Sequence, residues 1–292
     1  MKNQNIVIVS IAVLAGMLLA VWGMFALGDN MPRGVTEFSQ TAYDLHMLIL
    51  WICVVIGVLV FGAMFVSIIL HRKSNGVEAA QFTHSTKAEI AWTAIPILIL
   101  ILMAVPATRA LILMETSEGA EMDIKITGYQ WKWKYEYMDT GVSFISSLAQ
   151  DSDIARQLNS GIDPTTVDNY LLEVDNALVV PTDTKIRLLL TSGDVIHSWW
   201  VPELGWKRDA IPGIVNTAWT SISEPGTYRG QCAELCGKDH GFMPVVVIAK
   251  PRAEFEQWLA QQPGYTGSDD VSALAQDTAD DMTTSPEVAL AD

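Results

Sequence analysis

From residue 47 to residue 70 the chain carries no charged side chain. A helix needs roughly 20 residues to cross the hydrocarbon core of a bilayer, so this run can span with some tilt. Where water is absent, a helix is the form that satisfies its own backbone groups. Two more apolar runs flank this one. Residues 6–26 follow a short start containing Lys2, and residues 90–107 continue past Arg109 to Met114. Pro96 and Pro106 lie inside the last run, and a membrane helix tolerates prolines when neighbouring protein satisfies the freed carbonyls. The second and third runs therefore read as a transmembrane helical hairpin within residues 29–114. Residues 1–28 read either as a signal peptide, with Ala26 and Gly28 offering a cleavage site before Asp29, or as an additional N-terminal transmembrane helix. Hydrophobic residues make up 50% of the chain and charged residues 17%. Most of the hydrophobic excess precedes residue 115, which argues against an ordinary cytosolic protein.

The connection between the hairpin's two runs contains Arg72, Lys73 and Lys87. The positive-inside rule puts it in the cytoplasm. Everything after the hairpin then lies outside, in the periplasm of a bacterial cell. Glu89 sits at the cytoplasmic mouth of the third run. It reads as a hydrated interfacial carboxylate or as a proton-entry group, since an ionisable residue beside a span can mark a proton path.

Beyond residue 114 the chain holds 28 Asp and Glu against 12 Lys and Arg. Such a surface repels nucleic acid, which requires a basic face, and attracts a cationic partner. The pattern also changes to short strands, expected at 122–127, 130–137, 185–191, 218–223, 228–230 and 242–248. Ile124 and Ile126, then Trp131, Trp133, Tyr135 and Tyr137, alternate as in strands with one buried face. Turn signals such as Ser192-Gly193-Asp194 and Glu224-Pro225-Gly226 separate them. The domain at 115–262 is thus an all-β sandwich or barrel. Residues 139–168 read as a polar surface excursion with a short helix near 154–158. Residues 251–261 read as a terminal helix, and 263–292 as an acidic tail expected to be disordered.

Three cysteines cannot make a disulfide-rich framework. Cys53 lies in an apolar run, but Cys232 and Cys236 stand four residues apart, with His240 and Met243 following. His197 arrives from an earlier strand end. Thiolates and thioether favour copper, and imidazole suits it too. Two thiolates can bridge two copper ions, each capped by one histidine, with Met243 as a weak ligand and the backbone carbonyl of Glu234 as a further donor. Such a site stores and passes electrons. Other readings of the same residues are a Cys232–Cys236 disulfide, a zinc site that leaves Met243 unused, and a metal-delivery protein. A mononuclear blue-copper site would leave one cysteine surplus.

Over roughly residues 40–260 the sequence resembles cytochrome c oxidase subunit II. The segments that carry the resemblance are Asp194-Val-Ile-His197-Ser-Trp-Trp-Val-Pro202, Lys207-Arg-Asp-Ala-Ile-Pro212-Gly213 and Gly230-Gln-Cys232-Ala-Glu234-Leu-Cys236-Gly-Lys-Asp-His240-Gly-Phe-Met243-Pro244. The resemblance implies a cupredoxin-like form for the β domain and a dinuclear copper centre on His197, Cys232, Glu234 (by its carbonyl), Cys236, His240 and Met243. It implies that Trp131, in Gly128-Tyr-Gln-Trp131-Lys-Trp133, is where an electron enters from cytochrome c; on sequence pattern alone it is a sheet-packing aromatic. Asp194 matches an acidic residue near the docking surface. The Glu234 carboxylate matches a ligand of magnesium shared with subunit I, where a plain interface salt bridge is the simpler reading. Glu89, preceding Ile90-Ala-Trp92-Thr, matches the glutamate at the entrance of a proton channel. The implied partners are subunits I and III, a cationic-faced cytochrome c and the lipid bilayer, with no nucleic acid. The implied place is the bacterial inner membrane, with the copper domain in the periplasm. The implied activity is electron entry for oxygen reduction coupled to proton pumping, with the haems and a third copper in subunit I. Quinol oxidase subunit II shares the architecture but lacks the copper ligands. A copper-binding or delivery protein would not need Trp131, Glu89 and a two-helix anchor together.

Overall fold

The computed structural model describes residues 2–26, 31–76, 78 and 80–266. The expected cleavage point before Asp29, and the tail from residue 267 on, lie outside the described residues. The described residues divide into two units: those up to Arg33 with Thr41–Leu111, and Gly34–Gln40 with those from Ile112 on.

The first unit is helical. α1 (Lys2–Ala26) is a continuous helix, which both expectations for the first run accommodate. α2 (Glu37–Leu70) and α3 (Thr86–Glu115) are each long and apolar enough to cross a membrane. Pro96 and Pro106 are both accommodated inside α3. In the most apolar stretch of each span only 6% of residues are buried within the chain, so a bilayer or partner subunits must cover those faces.

α2 starts earlier than the apolar run suggests because a reciprocal cap fixes its start. The Ser39 N–H donates to Thr36 Oγ1 and the Thr36 N–H donates to Ser39 Oγ, both at 3.0 Å. Glu37 adds a negative charge at the helix's positive end. The same segment is tied to the β domain: Val35 N–H donates to the Glu203 carbonyl at 3.0 Å, and Thr36 Oγ1 donates to the Leu204 carbonyl at 2.9 Å. Residues 34–40 thus group with the second unit, whereas the sequence places them with the hairpin.

The second unit is built of two five-stranded sheets. One has the order β3 (Ser143–Ser146), β2 (Lys132–Tyr137), β1 (Met122–Tyr129), β5 (Ile186–Ser192), β8 (Asn216–Thr220). The other has the order β4 (Leu178–Pro181), β10 (Pro244–Lys250), β9 (Gly226–Cys232), β6 (His197–Val201), β7 (Trp206–Ala210). Alternation sets the buried faces. Ile124, Ile126, Trp133, Tyr135, Tyr137, Ile186, Leu188, Leu190, Val245 and Val247 point into one core, each contributing about 1.5–3 kcal/mol by leaving water. Tyr137 also exchanges hydrogen bonds with Val179, donating to its carbonyl at 2.6 Å. α5 (Arg252–Ala260) closes the domain with Phe255 and Leu259 buried.

The expected strands are present, with ends shifted by a few residues. β3, β4, β6 and β7 are additions. β4 is buried at every position and so shows no alternation. β7 pairs with β6, Val201 opposite Trp206, through a charged Lys-Arg-Asp sequence that reads as loop. The short helix of the excursion, α4 (Gln150–Ala155), lies earlier than expected, and Leu158 is 95% exposed. The register that matters most sets Trp199 opposite Cys232. It brings the start of β6 beside the loop that joins β9 to β10.

Candidate metal centre

His197 opens β6 and is 0% exposed. Cys232 closes β9, and its N–H donates to the Met243 carbonyl across the mouth of the following loop at 3.3 Å. The Ala233 N–H donates to the Ser198 carbonyl at 2.9 Å, which ties the loop back to β6. Gly237 takes φ +121°, a left-handed value that favours glycine. A 3₁₀ turn at His240–Phe242 then returns the chain to Met243 and β10.

The loop gathers the soft donors. Cys232 Sγ and Cys236 Sγ are 3.8 Å apart. His197 Nδ1 lies 3.9 Å from Cys232 Sγ, and His240 Nδ1 lies 3.6 Å from Cys236 Sγ. Met243 Sδ is 3.5 Å from Cys236 Sγ, and the Glu234 carbonyl oxygen is 3.3 Å from Cys232 Sγ. The ligand atoms of His197, Cys232 and Cys236 all lie within 4.8 Å of one another, a set that can hold a metal ion. The sulfurs are far from the roughly 2.0 Å of a disulfide, and both thiols are free. Both cysteines and Met243 are buried, while the Glu234 side chain is exposed.

The electrostatics favour one thiolate first. Burial pushes the Cys232 thiol up, but hydrogen bonds from His197 and the Ser198 and Glu234 backbone outweigh it and hold it below the usual thiol range. Burial raises Cys236, and the neighbouring Cys232 charge raises it further. Burial lowers the His197 imidazole, yet Cys232 and Asp194 more than reverse that. Two such thiols close together need a positive charge between them before both can ionise. Thiols, imidazoles and a thioether are the donor types that copper takes. A zinc tetrahedron would leave Met243 Sδ unused. The residues present fit a copper pair.

Asp194 is not a free surface charge. Its Oδ1 lies 2.9 Å from His197 Nε2, and its carboxylate accepts from the N–H groups of Gln130 at 2.7 Å and Val195 at 2.6 Å. Trp131 is half-buried at the β1–β2 turn. Its indole Nε1 donates to the Cys236 carbonyl at 3.3 Å, and Lys238 Nζ lies 5.5 Å from its ring. The alternating neighbours Trp133, Tyr135 and Tyr137 lie within the core, and Trp131 packs against it from the edge. Glu89 stands exposed in the first turn of α3, in the other unit.

Two contributors escape the sequence reading. Gln130 donates from Nε2 to the same Cys236 carbonyl at 2.9 Å. Gly128 leaves room for the His197 ring: a Cβ there would sit 2.8 Å from His197 Cδ2. A glycine inside an otherwise regular strand is the sign of such a close approach.

A family model for the periplasmic domain of cytochrome c oxidase subunit II matches residues 122–250. A model for the transmembrane domain of the same subunit matches residues 21–110. The probable cytochrome c oxidase subunit 2 of Rickettsia prowazekii is 41% identical over 227 residues, covering 77% of this chain and 69% of the relative. That of Rickettsia bellii is 39% identical over 242 residues, covering 82% and 86%. Among solved structures, the periplasmic domain of subunit II of cytochrome oxidase of Bradyrhizobium japonicum is 40% identical. It covers 50% of this chain and 96% of that chain, with a TM-score of 0.44.

Proposed function

Because the chain belongs to the cytochrome c oxidase subunit II family, we propose that it is the electron-entry subunit of a bacterial haem-copper oxidase. It stands between cytochrome c and the haem-bearing subunit I, whose reaction is the reduction of oxygen to water with proton pumping. The observation that carries this reading is the convergence of two thiols, two imidazoles, a thioether and a carbonyl where the β9–β10 loop meets the start of β6, with Trp131 hydrogen-bonded to that loop.

His197, Cys232, Cys236, His240, Met243 and the Glu234 carbonyl would hold two copper ions. When bound, a copper pair supplies a one-electron store whose charge change is spread over two metals. The protein's part is to keep the donors where they are. Asp194 accepts the Nε2 proton of His197, so the other ring nitrogen presents its lone pair toward Cys232. The Ala233–Ser198 bond and the Cys232–Met243 bond hold both ends of the loop, which limits rearrangement when charge arrives. Trp131 offers a half-buried aromatic ring tied by one hydrogen bond to Cys236, a short covalent and hydrogen-bonded route from the surface to a ligand residue.

The acidic excess beyond residue 114 suits a cationic cytochrome c, whose association it would accelerate. The exposed Glu234 carboxylate is available to magnesium at a contact with subunit I. Glu89, exposed in the first turn of α3, would receive protons from the cytoplasm. Both spans present uncovered apolar faces that subunits I and III and lipid would cover. A subunit serving quinol would have no use for this donor set.

The test is to isolate the complex from membranes through a tag on this chain. A haem-bearing subunit should accompany it, and the preparation should oxidise reduced cytochrome c with oxygen uptake. A complex that oxidises quinol but not cytochrome c would overturn the reading.

A further inference from the structure

The excursion at 139–168 has a contact that its surface position does not require. Arg156 caps the C-terminus of α4, its N–H donating to the Ser152 carbonyl at 3.0 Å. Asp153, three residues earlier, orients the side chain: Nε and Nη2 both reach Asp153 Oδ1 at 2.8 Å. The guanidinium then extends to the donor loop. Nη1 lies 3.5 Å from Asp239 Oδ1, and Cζ sits 4.4 Å from the centre of the Phe242 ring. Asp239 and Phe242 are the two ends of one turn, closed by the Phe242 N–H donating to the Asp239 carbonyl at 2.9 Å. His240 lies between them.

The excursion is a firm base for this contact. The Leu171 N–H donates to the buried Ser152 hydroxyl at 3.1 Å, and the Ala149 N–H donates to the Glu173 carbonyl at 2.9 Å. Glu173 pairs with Arg229 at 2.5 Å, on the strand that ends in Cys232. Lys238 and Gly241, by contrast, are exposed within the turn region. A planar guanidinium can stack on an aromatic face while its fork of N–H groups meets two carboxylates, a geometry that a compact ammonium matches only in part.

We propose that Arg156 is a positioning residue that clamps the Asp239–Phe242 turn from outside and thereby holds the His240 ring toward Cys236. The metal-dependent part of this proposal rests on the copper reading above; the clamp itself does not.

Two measurements on the full-length chain in detergent test it. In the metal-free protein, hydrogen exchange of the 239–242 amides should quicken in Arg156→Ala by about tenfold, with β9 and β10 unchanged; Arg156→Lys should restore it in part. Phe242→Leu, which removes only the aromatic face, should fall between. In the copper-loaded protein, Arg156→Ala should lose copper to a chelator about tenfold faster. One of its two histidine nitrogen couplings should shift while the other stays. Wild-type exchange in Arg156→Ala overturns the clamp whatever the metal result. Quickened exchange with unchanged nitrogen couplings and copper loss overturns the link to His240. A wild-type protein that takes up no copper pair would defeat the copper reading, and the exchange data would still decide the clamp.

Discussion

His197 Nε2 lies 2.9 Å from Asp194 Oδ1, three residues back along the chain, and His197 Nδ1 faces Cys232 Sγ at 3.9 Å. One ring nitrogen thus meets a carboxylate and the other faces the thiol. In a metal site such a pairing would favour one tautomer and raise the basicity of the nitrogen facing Cys232.

Asp194→Asn should therefore weaken copper binding. The amide keeps an acceptor for His197, but its NH₂ group would face a backbone N–H that now has a carboxylate oxygen. A loss of about 10–100-fold in affinity is expected, read by competition with a chelator. If Asp194 serves docking alone, affinity will be unchanged and only association with cytochrome c will slow.

Trp131→Phe should leave copper bound and slow oxidation of cytochrome c by an order of magnitude or more. Phenylalanine keeps an aromatic ring, though a smaller one, and cannot donate to the Cys236 carbonyl. Stopped-flow mixing of reduced cytochrome c with the complex checks it. An unchanged entry rate would return Trp131 to a packing role.

Gly128→Ala should destabilise the β domain. The added methyl would stand 2.8 Å from His197 Cδ2 and 3.0 Å from Cγ, and His197 is fully buried with Trp133 against it. Overpacking of this kind costs about 1–3 kcal/mol, a drop of roughly 2–4 °C in thermal midpoint per kcal/mol for a domain of this size. Calorimetry on wild type and variant should find the shift, and copper affinity should fall with it.

Acid should weaken the β1–β2 hairpin through Glu136. Burial alone would raise its carboxyl, but Lys134 at 2.8 Å and Lys125 at 3.3 Å outweigh burial and hold it below its ordinary value of 4.5. The folded value lies below the unfolded one. The stabilisation is complete above the unfolded value and is lost as pH falls through the folded one. Solvent screening keeps it near 0.5 kcal/mol. Denaturant titrations at a series of pH values below 5 should show a flatter acid limb in Glu136→Gln; parallel limbs would remove the contribution.

The apolar runs were legible because a bilayer leaves the backbone few alternatives, and α2 and α3 contain them. The alternating residues of β1, β2 and β5 were legible for a similar reason: one face of each is buried. The donor loop was legible from residue types and spacing. What escaped depends on contacts far apart in sequence. β4 is buried on both faces and shows no period. β7 forms only because β6 lies beside it. Residues 34–40 look like the approach to a span, yet their hydrogen bonds go to Glu203 and Leu204. Asp194 reads as a surface acid until the fold turns His197 toward it. Arg156 and Phe242 are 86 positions apart, and no local pattern joins them.

Electron paramagnetic resonance with metal analysis, on the full-length chain loaded with copper and on Cys236→Ser, tests the copper centre most directly. The wild type should bind two coppers per chain and show one unpaired electron shared by both nuclei, and Cys236→Ser should lose that spectrum because one of the two thiolates that would hold the pair is gone. A single localised copper, a zinc ion, or a shared-electron spectrum that survives in Cys236→Ser would contradict it.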